Sequence, residues 1–352
     1  QSPAAPNTAA AKANLKTRIR NPLFHAPPYT NPNLRHPPAG SSLPIPDSRP
    51  ISPPMTAIIH HPDYDAATVG DDHRFPMRKY SIVAELLRAQ GYSFETPPHA
   101  SVIELERAHN PDYVHAVLTS RIDRKLERKI GFPVTPAIAA RSRASCGGTL
   151  LAARRALDIG TSANLAGGSH HARPETGAGF CVFNDVAIAA LALLAEKPNL
   201  KIAVLDFDVH HGDGTALIFA DNPQVFTTSL HCQDNWPRTK PPSDLDIGLP
   251  KGTTDDEYLT AAASALTQTL DRAKPDLLFY NAGVDPHTED RLGLLDISDS
   301  GLKAREHLIA DTCREKGLPL STSLGGGYQK DPAKVAERHT WMVHALTGKL
   351  DV

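Results

Sequence analysis

The chain has 352 residues, with 37 Lys and Arg against 39 Asp and Glu, a formal net charge of −2 and 40% hydrophobic residues. That length carries one large buried core, the near-neutral balance argues against a protein that coats nucleic acid, and no run of 18 apolar residues exists to cross a membrane. Four dispersed cysteines, Cys146, Cys181, Cys232 and Cys313, form no Cys-x-x-Cys pair, which points away from a disulfide framework or thiolate metal site and towards a reducing compartment.

Residues 1–54 differ from the rest. They hold 13 of the 31 prolines, six Lys or Arg and no acidic residue before Asp47, without helical or strand periodicity. Such a segment cannot bury enough apolar surface to offset its ordering entropy and reads as a disordered leader. Its alternatives are an organelle transit peptide, for which it lacks serine richness and an amphipathic repeat, or sequence upstream of a start at Met55. The domain is expected over 55–352, in the cytoplasm unless the leader directs import.

Ala57-Ile-Ile-His60 predicts a short strand, and Phe75-Pro-Met-Arg78 leads into a helix with Ile82, Val83, Leu86 and Leu87 on one face. Asn110-Pro-Asp-Tyr113 opens another helix, with proline in its favoured first turn. Residues 121–136, charged and then Gly/Pro-rich, read as a surface excursion. A helix over 137–158 contains Cys146-Gly-Gly148, whose glycines cost helix stability and imply close approach of another backbone.

From Ala163 the patterns alternate: strands at 163–166, 201–207, 225–230, 276–281 and 319–324, and helices at 184–195, 213–220, 255–271, 299–315 and 331–347. The alternation predicts an α/β domain with a mainly parallel, doubly wound sheet flanked by helices. Sites in such sheets lie beyond the carboxyl ends of the strands.

The chemistry-bearing blocks fall at those ends. Val204-Leu-Asp-Phe-Asp-Val-His-His-Gly-Asp-Gly-Thr215 spaces Asp206, Asp208 and His210 by two, so that strand alternation would point them to one side, where a carboxylate and an imidazole can share a divalent ion. Leu165-Ala-Gly-Gly-Ser-His-His-Ala172 places two adjacent histidines after a flexible turn. Tyr280-Asn-Ala-Gly-Val-Asp285 ends a strand with a carboxylate, and Leu324-Gly-Gly-Gly-Tyr328 ends another with a tyrosine.

Taken together and in this order, the four blocks resemble the zinc-dependent histone deacetylase family of the arginase-deacetylase superfamily. Finer stretches resemble its class IV branch and related bacterial proteins: Phe75-Pro-Met-Arg78, Ser243-Asp-Leu-Asp-Ile247, Tyr280-Asn-Ala-Gly283, Asp290-Arg-Leu-Gly293 and Gly327-Tyr-Gln-Lys330. The resemblance spans roughly residues 56 to 348. It implies one catalytic Zn²⁺ held by Asp208, His210 and Asp285, with Fe²⁺ or Co²⁺ also acceptable to that donor set. His170 and His171 would be paired with Asp206 and Asp213, His171 as the main general base and acid and His170 chiefly electrostatic.

Tyr328, delivered by Gly325-Gly-Gly327, would donate its phenol hydrogen to the developing oxyanion. Gly179 and Phe180 would form one wall of a substrate tunnel, and Arg78 would sit near the inner end of the acyl channel, with Phe75 and Met77 towards its rim. Structural K⁺ is implied at Asp206, Asp208, His210, Ser229 and Leu230, and a second K⁺ at Phe219, Asn222 and Val225. The expected activity is removal of acetyl or other acyl groups from the ε-amine of lysine in a protein or peptide. An acetylated polyamine or other small amide is the alternative substrate, and a non-catalytic binding protein the alternative function. The chain departs from many relatives at Pro286-His287-Thr288-Glu289-Asp290, where His287 and Glu289 either alter the rim or are simply solvated.

Overall fold

The computed structural model describes residues 55–65, 69–70 and 73–351; the leader expected over 1–54 lies outside the described residues. Seven strands, β1 (Thr56–Ile59), β2 (Thr161–Asn164), β3 (Ile202–Asp206), β4 (Val225–Cys232), β5 (Leu245–Leu249), β6 (Leu277–Asn281) and β7 (Leu320–Ser323), form one sheet in the order β1-β2-β7-β6-β3-β4-β5. Every neighbouring pair is parallel. Parallel strands need covered faces, and β3 and β6 are buried along their whole length.

The expected fold class is therefore found, in all-parallel form. Helices Lys79–Ala89, Pro111–Leu118, Pro136–Ile159, Asp185–Glu196, Asp213–Phe219, Asp255–Ala273, Asp299–Lys316 and Pro332–Leu346 match the predicted ones to within a few residues. In the helix Pro136–Ile159 a Cβ on Gly147 would lie 1.9 Å from the Pro98 carbonyl oxygen, and one on Gly148 2.0 Å from the Tyr64 hydroxyl. Gly147 thus makes the close backbone approach that the glycine pair implied, whereas the neighbour of Gly148 is a side chain.

Several elements differ from the sequence reading, which named neither the short helix Val102–Leu105 nor the 3-10 turn Pro62–Tyr64. The excursion over 121–136 contains a helix, Arg124–Ile130, capped by Asp123 and ended by Gly131 at φ 107°. β5 pairs with β4 at the sheet edge. The strand expected over 163–166 is displaced two residues earlier, to β2.

The strand ends are in register. Asn164 pairs with Ser323, Ser323 with Asn281, Asn281 with Asp206, and Asp206 with Ser229. One row of small or polar residues thus runs across five adjacent strands at the carboxyl edge. The loops that follow β2, β7, β6 and β3, four neighbours in the sheet, are the four blocks singled out above.

Candidate active site and metal centre

β3 stops at Asp206, so Asp208 and His210 are placed by the turn that follows rather than by strand alternation. This corrects the pleat argument, and the turn's own hydrogen bonds do the work. The backbone N–H of Asp208 donates to Asp206 Oδ1 (3.2 Å) and that of His210 to Asp208 Oδ1 (3.0 Å). Across the sheet, Val209 N–H donates to Asp285 Oδ1 (2.9 Å) and Gly326 N–H to Asp208 Oδ2 (2.7 Å). A Cβ at Gly326 would lie 2.1 Å from Asp285 Oδ2, so the tyrosine-bearing loop can approach the carboxylates only as glycine.

These contacts gather Asp208, His210 and Asp285, all buried, into a cluster whose potential ligand atoms lie within 4.8 Å of one another. His210 Nδ1 is 2.9 Å from Asp208 Oδ1 and 3.1 Å from Asp285 Oδ2. Tetrahedral ligands bound at ~2.0–2.1 Å stand roughly 3.3 Å apart, so the donor set and its spacing fit a small divalent ion. Burial and the neighbouring Asp208 push Asp285 up to about 7. The two carboxylates repel in a dry pocket, a conflict that a cation between them would relieve.

The tandem histidines stand beside this cluster. His170 Nδ1–H donates to Asp206 Oδ2 and His171 Nδ1–H to Asp213 Oδ1, each at 2.6 Å. Their Nε2 atoms are 3.0 Å apart, a hydrogen-bonding distance when one of them carries a proton. Burial opposes charge at both rings. At His170 the Asp206 and Asp208 carboxylates outweigh it and raise the ring to about 9, whereas burial and the charge on His170 lower His171 to about 3. A proton between them is thereby favoured on His170, which leaves His171 neutral. Arg173 completes the row by donating from Nε to Asp213 Oδ2 at 2.8 Å.

Several positioning groups were not singled out in the sequence. Asp185 accepts from the backbone N–H groups of Ser169 (2.8 Å) and Gly168 (3.2 Å), fixing the histidine loop from the first turn of the next helix. Asp290 Oδ2 accepts from Tyr328 N–H (2.6 Å) and Arg291 Nε donates to the Tyr328 carbonyl (2.7 Å), clamping the tyrosine backbone on both sides. Asp290-Arg-Leu-Gly293 was legible as a motif, but nothing in it announced this task. His287 and Glu289 neither line the mouth nor stand alone in solvent. His287 pairs with Asp299 at 3.0 Å, and Glu289 with Arg338 at 2.7 Å.

Above the cluster opens a cavity of ≈ 610 Å³ whose lining includes His171, His210, Tyr328, Gly179, Phe180 and Trp236. Phe180 is at φ 66° and Gly179 at φ 52°. A Cβ on Gly179 would lie 2.7 Å from the His171 ring and 2.8 Å from Trp236. The Phe180 ring stands 5.7 Å from that of Tyr328, and Trp236 stands 4.4 Å from His171, so two aromatic walls flank the approach. Trp236 carries no signal in its local sequence and was missed.

Arg78 requires a correction. Its side chain is exposed and lines a separate cavity with Val69, Met77 and Arg291. The helix begins at Lys79, and one step along it turns a side chain by about 100°, so Lys79 faces inward where Arg78 was expected. Lys79 is fully buried and donates from Nζ to the Gly325 carbonyl (2.9 Å). Burial lowers its ammonium to about 8 against the pull of Asp285 and Asp208. Of the residues considered for potassium, Ser229 and Leu230 lie on β4 beside Asp206. Phe219, Asn222 and Val225 form the turn into β4, with Asn222 N–H on the Phe219 carbonyl (2.9 Å) and Val225 N–H on that of Asn222 (3.2 Å).

A family model described as "Histone deacetylase domain" matches residues 73–346. An uncharacterized protein of Picosynechococcus sp. is 43% identical over 295 residues, covering 82% of this chain and 97% of its own. Histone deacetylase 2 of Arabidopsis thaliana is 30% identical over 294 residues, covering 79% and 76%, and the acetoin utilization protein AcuC of Bacillus subtilis 28% identical over 303, covering 78% and 77%. The crystal structure of the HDA15 HD domain superposes with a TM-score of 0.71 at 23% identity, over 84% of this chain and 90% of that one, a likeness of fold.

Proposed function

The chain belongs to the histone deacetylase family of the arginase-deacetylase superfamily, and from that premise we propose that it is a metal-dependent hydrolase that removes short acyl groups from the ε-amine of lysine. The observation that carries this reading is the single cavity in which His171, His210 and Tyr328 meet above the buried Asp208–His210–Asp285 cluster. These three residues would hold the ion, Zn²⁺ being the one their nitrogen and oxygen donors fit. A bound zinc supplies Lewis acidity towards the amide carbonyl and lowers the pKa of water to ≈ 7.

The remaining steps belong to side chains. His171, neutral at its Nε2, takes the proton from the attacking water and returns it to the departing amine, while the charge on His170, anchored by Asp206, stabilises the developing negative charge. The Tyr328 hydroxyl, kept protonated because burial raises it well above its ordinary value, donates to the oxyanion. Gly179, Phe180 and Trp236 bind the methylene stem of the substrate and exclude water around it. By the same family resemblance, K⁺ at Asp206, Asp208, His210, Ser229 and Leu230, and at Phe219, Asn222 and Val225, would stiffen the loops that carry these groups.

His171→Ala and Tyr328→Phe should each lower kcat for an acetyl-lysine peptide, the latter by roughly 10²–10³, with the fold and metal content retained. Unchanged turnover in either variant refutes the mechanism. Acyl length follows from the inner end of the site. A void of ≈ 20 Å³ lined by Phe75, Tyr80, Arg141 and Cys181 lies behind the histidines and the glycine loop, about the room of one water. Acetyl-lysine should therefore exceed hexanoyl-lysine in kcat/KM by at least about tenfold. A flat or rising series would place the acyl chain elsewhere.

A further inference from the structure

Charge is distributed unevenly around the mouth of the site. The cavity wall carries His73, Arg74, Arg128 and Lys129, and among the described residues no aspartate or glutamate lines it. An adjoining cavity that shares His73 is lined by Arg78, Arg291 and Lys330, again without a carboxylate among the described residues. Among the described residues none of these six Arg and Lys side chains forms an ion pair. Their polar partners are neutral: Lys129 Nζ donates to Thr176 Oγ1 (3.0 Å), and Arg291 to the carbonyls of Tyr328 and Arg74.

Among the described residues, three carboxylates beside the mouth are already committed. Asp213 holds His171 and Arg173, Asp290 accepts from the backbone of Tyr328, Leu292 and Gly293, and Glu289 pairs with Arg338 and Lys334. Burial, and after it the neighbouring Arg173, push the Lys129 ammonium below its ordinary value, with Asp213 opposing. The whole chain carries a formal net charge of −2, so this concentration of cations is local to the mouth.

We propose that the mouth is a carboxylate-binding subsite, selecting acylated amines whose neighbouring groups are acidic and rejecting both Lys/Arg-rich segments and polyamines. The inference rests on the deacylase reading of the site and sharpens it, because it separates the substrate classes that the catalytic residues alone do not distinguish. Complementary charge at the rim of a binding site acts mainly through encounter rate and register. One pair of unit charges about 7 Å apart across water changes affinity by a factor of roughly two to three, and several rim cations act together until salt screens them beyond ~8–10 Å.

The test uses the full chain and three acetyl-lysine peptides that differ only in flanking residues, Glu, Ser or Lys, together with N-acetylputrescine. At low salt kcat/KM should follow Glu over Ser over Lys, with the Glu and Lys peptides separated by at least about tenfold and N-acetylputrescine at the bottom. The spread should collapse to within about threefold at 0.5 M NaCl. In the Arg74→Glu/Arg128→Glu double variant the Glu-to-Lys ratio should fall below one.

Equal values across the peptides at low salt, or a preference for the Lys peptide or N-acetylputrescine, overturn the subsite while leaving the deacylase reading intact. If no peptide is hydrolysed, the deacylase reading falls instead, and fluorescence anisotropy of the labelled peptides on the wild-type protein still decides the charge preference. Should the double variant fail to fold, the salt dependence of the wild type decides it.

Discussion

His109 shows how a single residue away from the chemistry supports it. Its Nδ1–H donates to the Arg173 carbonyl (2.9 Å) and its Nε2 accepts from Asn184 N–H (2.9 Å), tying the segment after the tandem histidines to the start of the helix that carries Asp185. The bond accepted at Nε2 requires the neutral ring, and burial lowers its pKa to about 4 although the backbone acceptors oppose this. The unfolded chain takes up the proton near 6.5 and the folded one only near 4, so the contribution is complete above pH 6.5 and is lost as pH falls towards 4. On the order of 3 kcal/mol is at stake. Urea unfolding of wild type and His109→Gln across this window should show a steeper loss in the wild type; parallel curves would contradict it. At this scale the sequence showed which residues belong to one site, since the structure brings His170, His171 and Tyr328 together. It was misread where a one-residue step decides direction, as with Arg78 and Lys79, because a helix start is uncertain by about that much.

Among the elements, the helix Pro136–Ile159 bears most directly on the sheet, since its Gly147 and Gly148 let backbone and the Tyr64 hydroxyl come within reach of its axis. Gly147→Ala gains helix propensity but meets the Pro98 carbonyl oxygen at 1.9 Å, a backbone atom that cannot swing away. The variant should lose about 1–3 kcal/mol, read as a lowered urea midpoint; a gain in stability would show that the contact is loose. Long buried elements were legible from apolar periodicity. The helix Arg124–Ile130, with one buried residue, shows too little apolar pattern to read, whereas the edge strand Leu245–Leu249 alternates Leu245, Ile247 and Leu249 with Asp246 and Gly248, a period-2 signal over only five residues that was missed.

For the whole molecule, what the sequence leaves implicit is convergence. Asp285 lies 75 positions after His210 and Gly326 118 after Asp208, yet their polar atoms stand 3.1 and 2.7 Å apart. The rule that parallel sheets bind at their carboxyl edge placed all four blocks on one side. Their order along that edge, β2-β7-β6-β3, comes from crossovers that no local pattern records.

The central claim is that Asp208, His210 and Asp285 hold one divalent ion on which hydrolysis depends. The direct measurement is metal content and acetyl-lysine peptide turnover on the same samples: as purified, after chelation, after one equivalent of Zn²⁺, and in Asp285→Ala. The account predicts that activity vanishes with the metal, returns at one ion per chain, and is absent together with the ion in the variant. Full turnover by metal-stripped protein, or by Asp285→Ala without bound zinc, would contradict it.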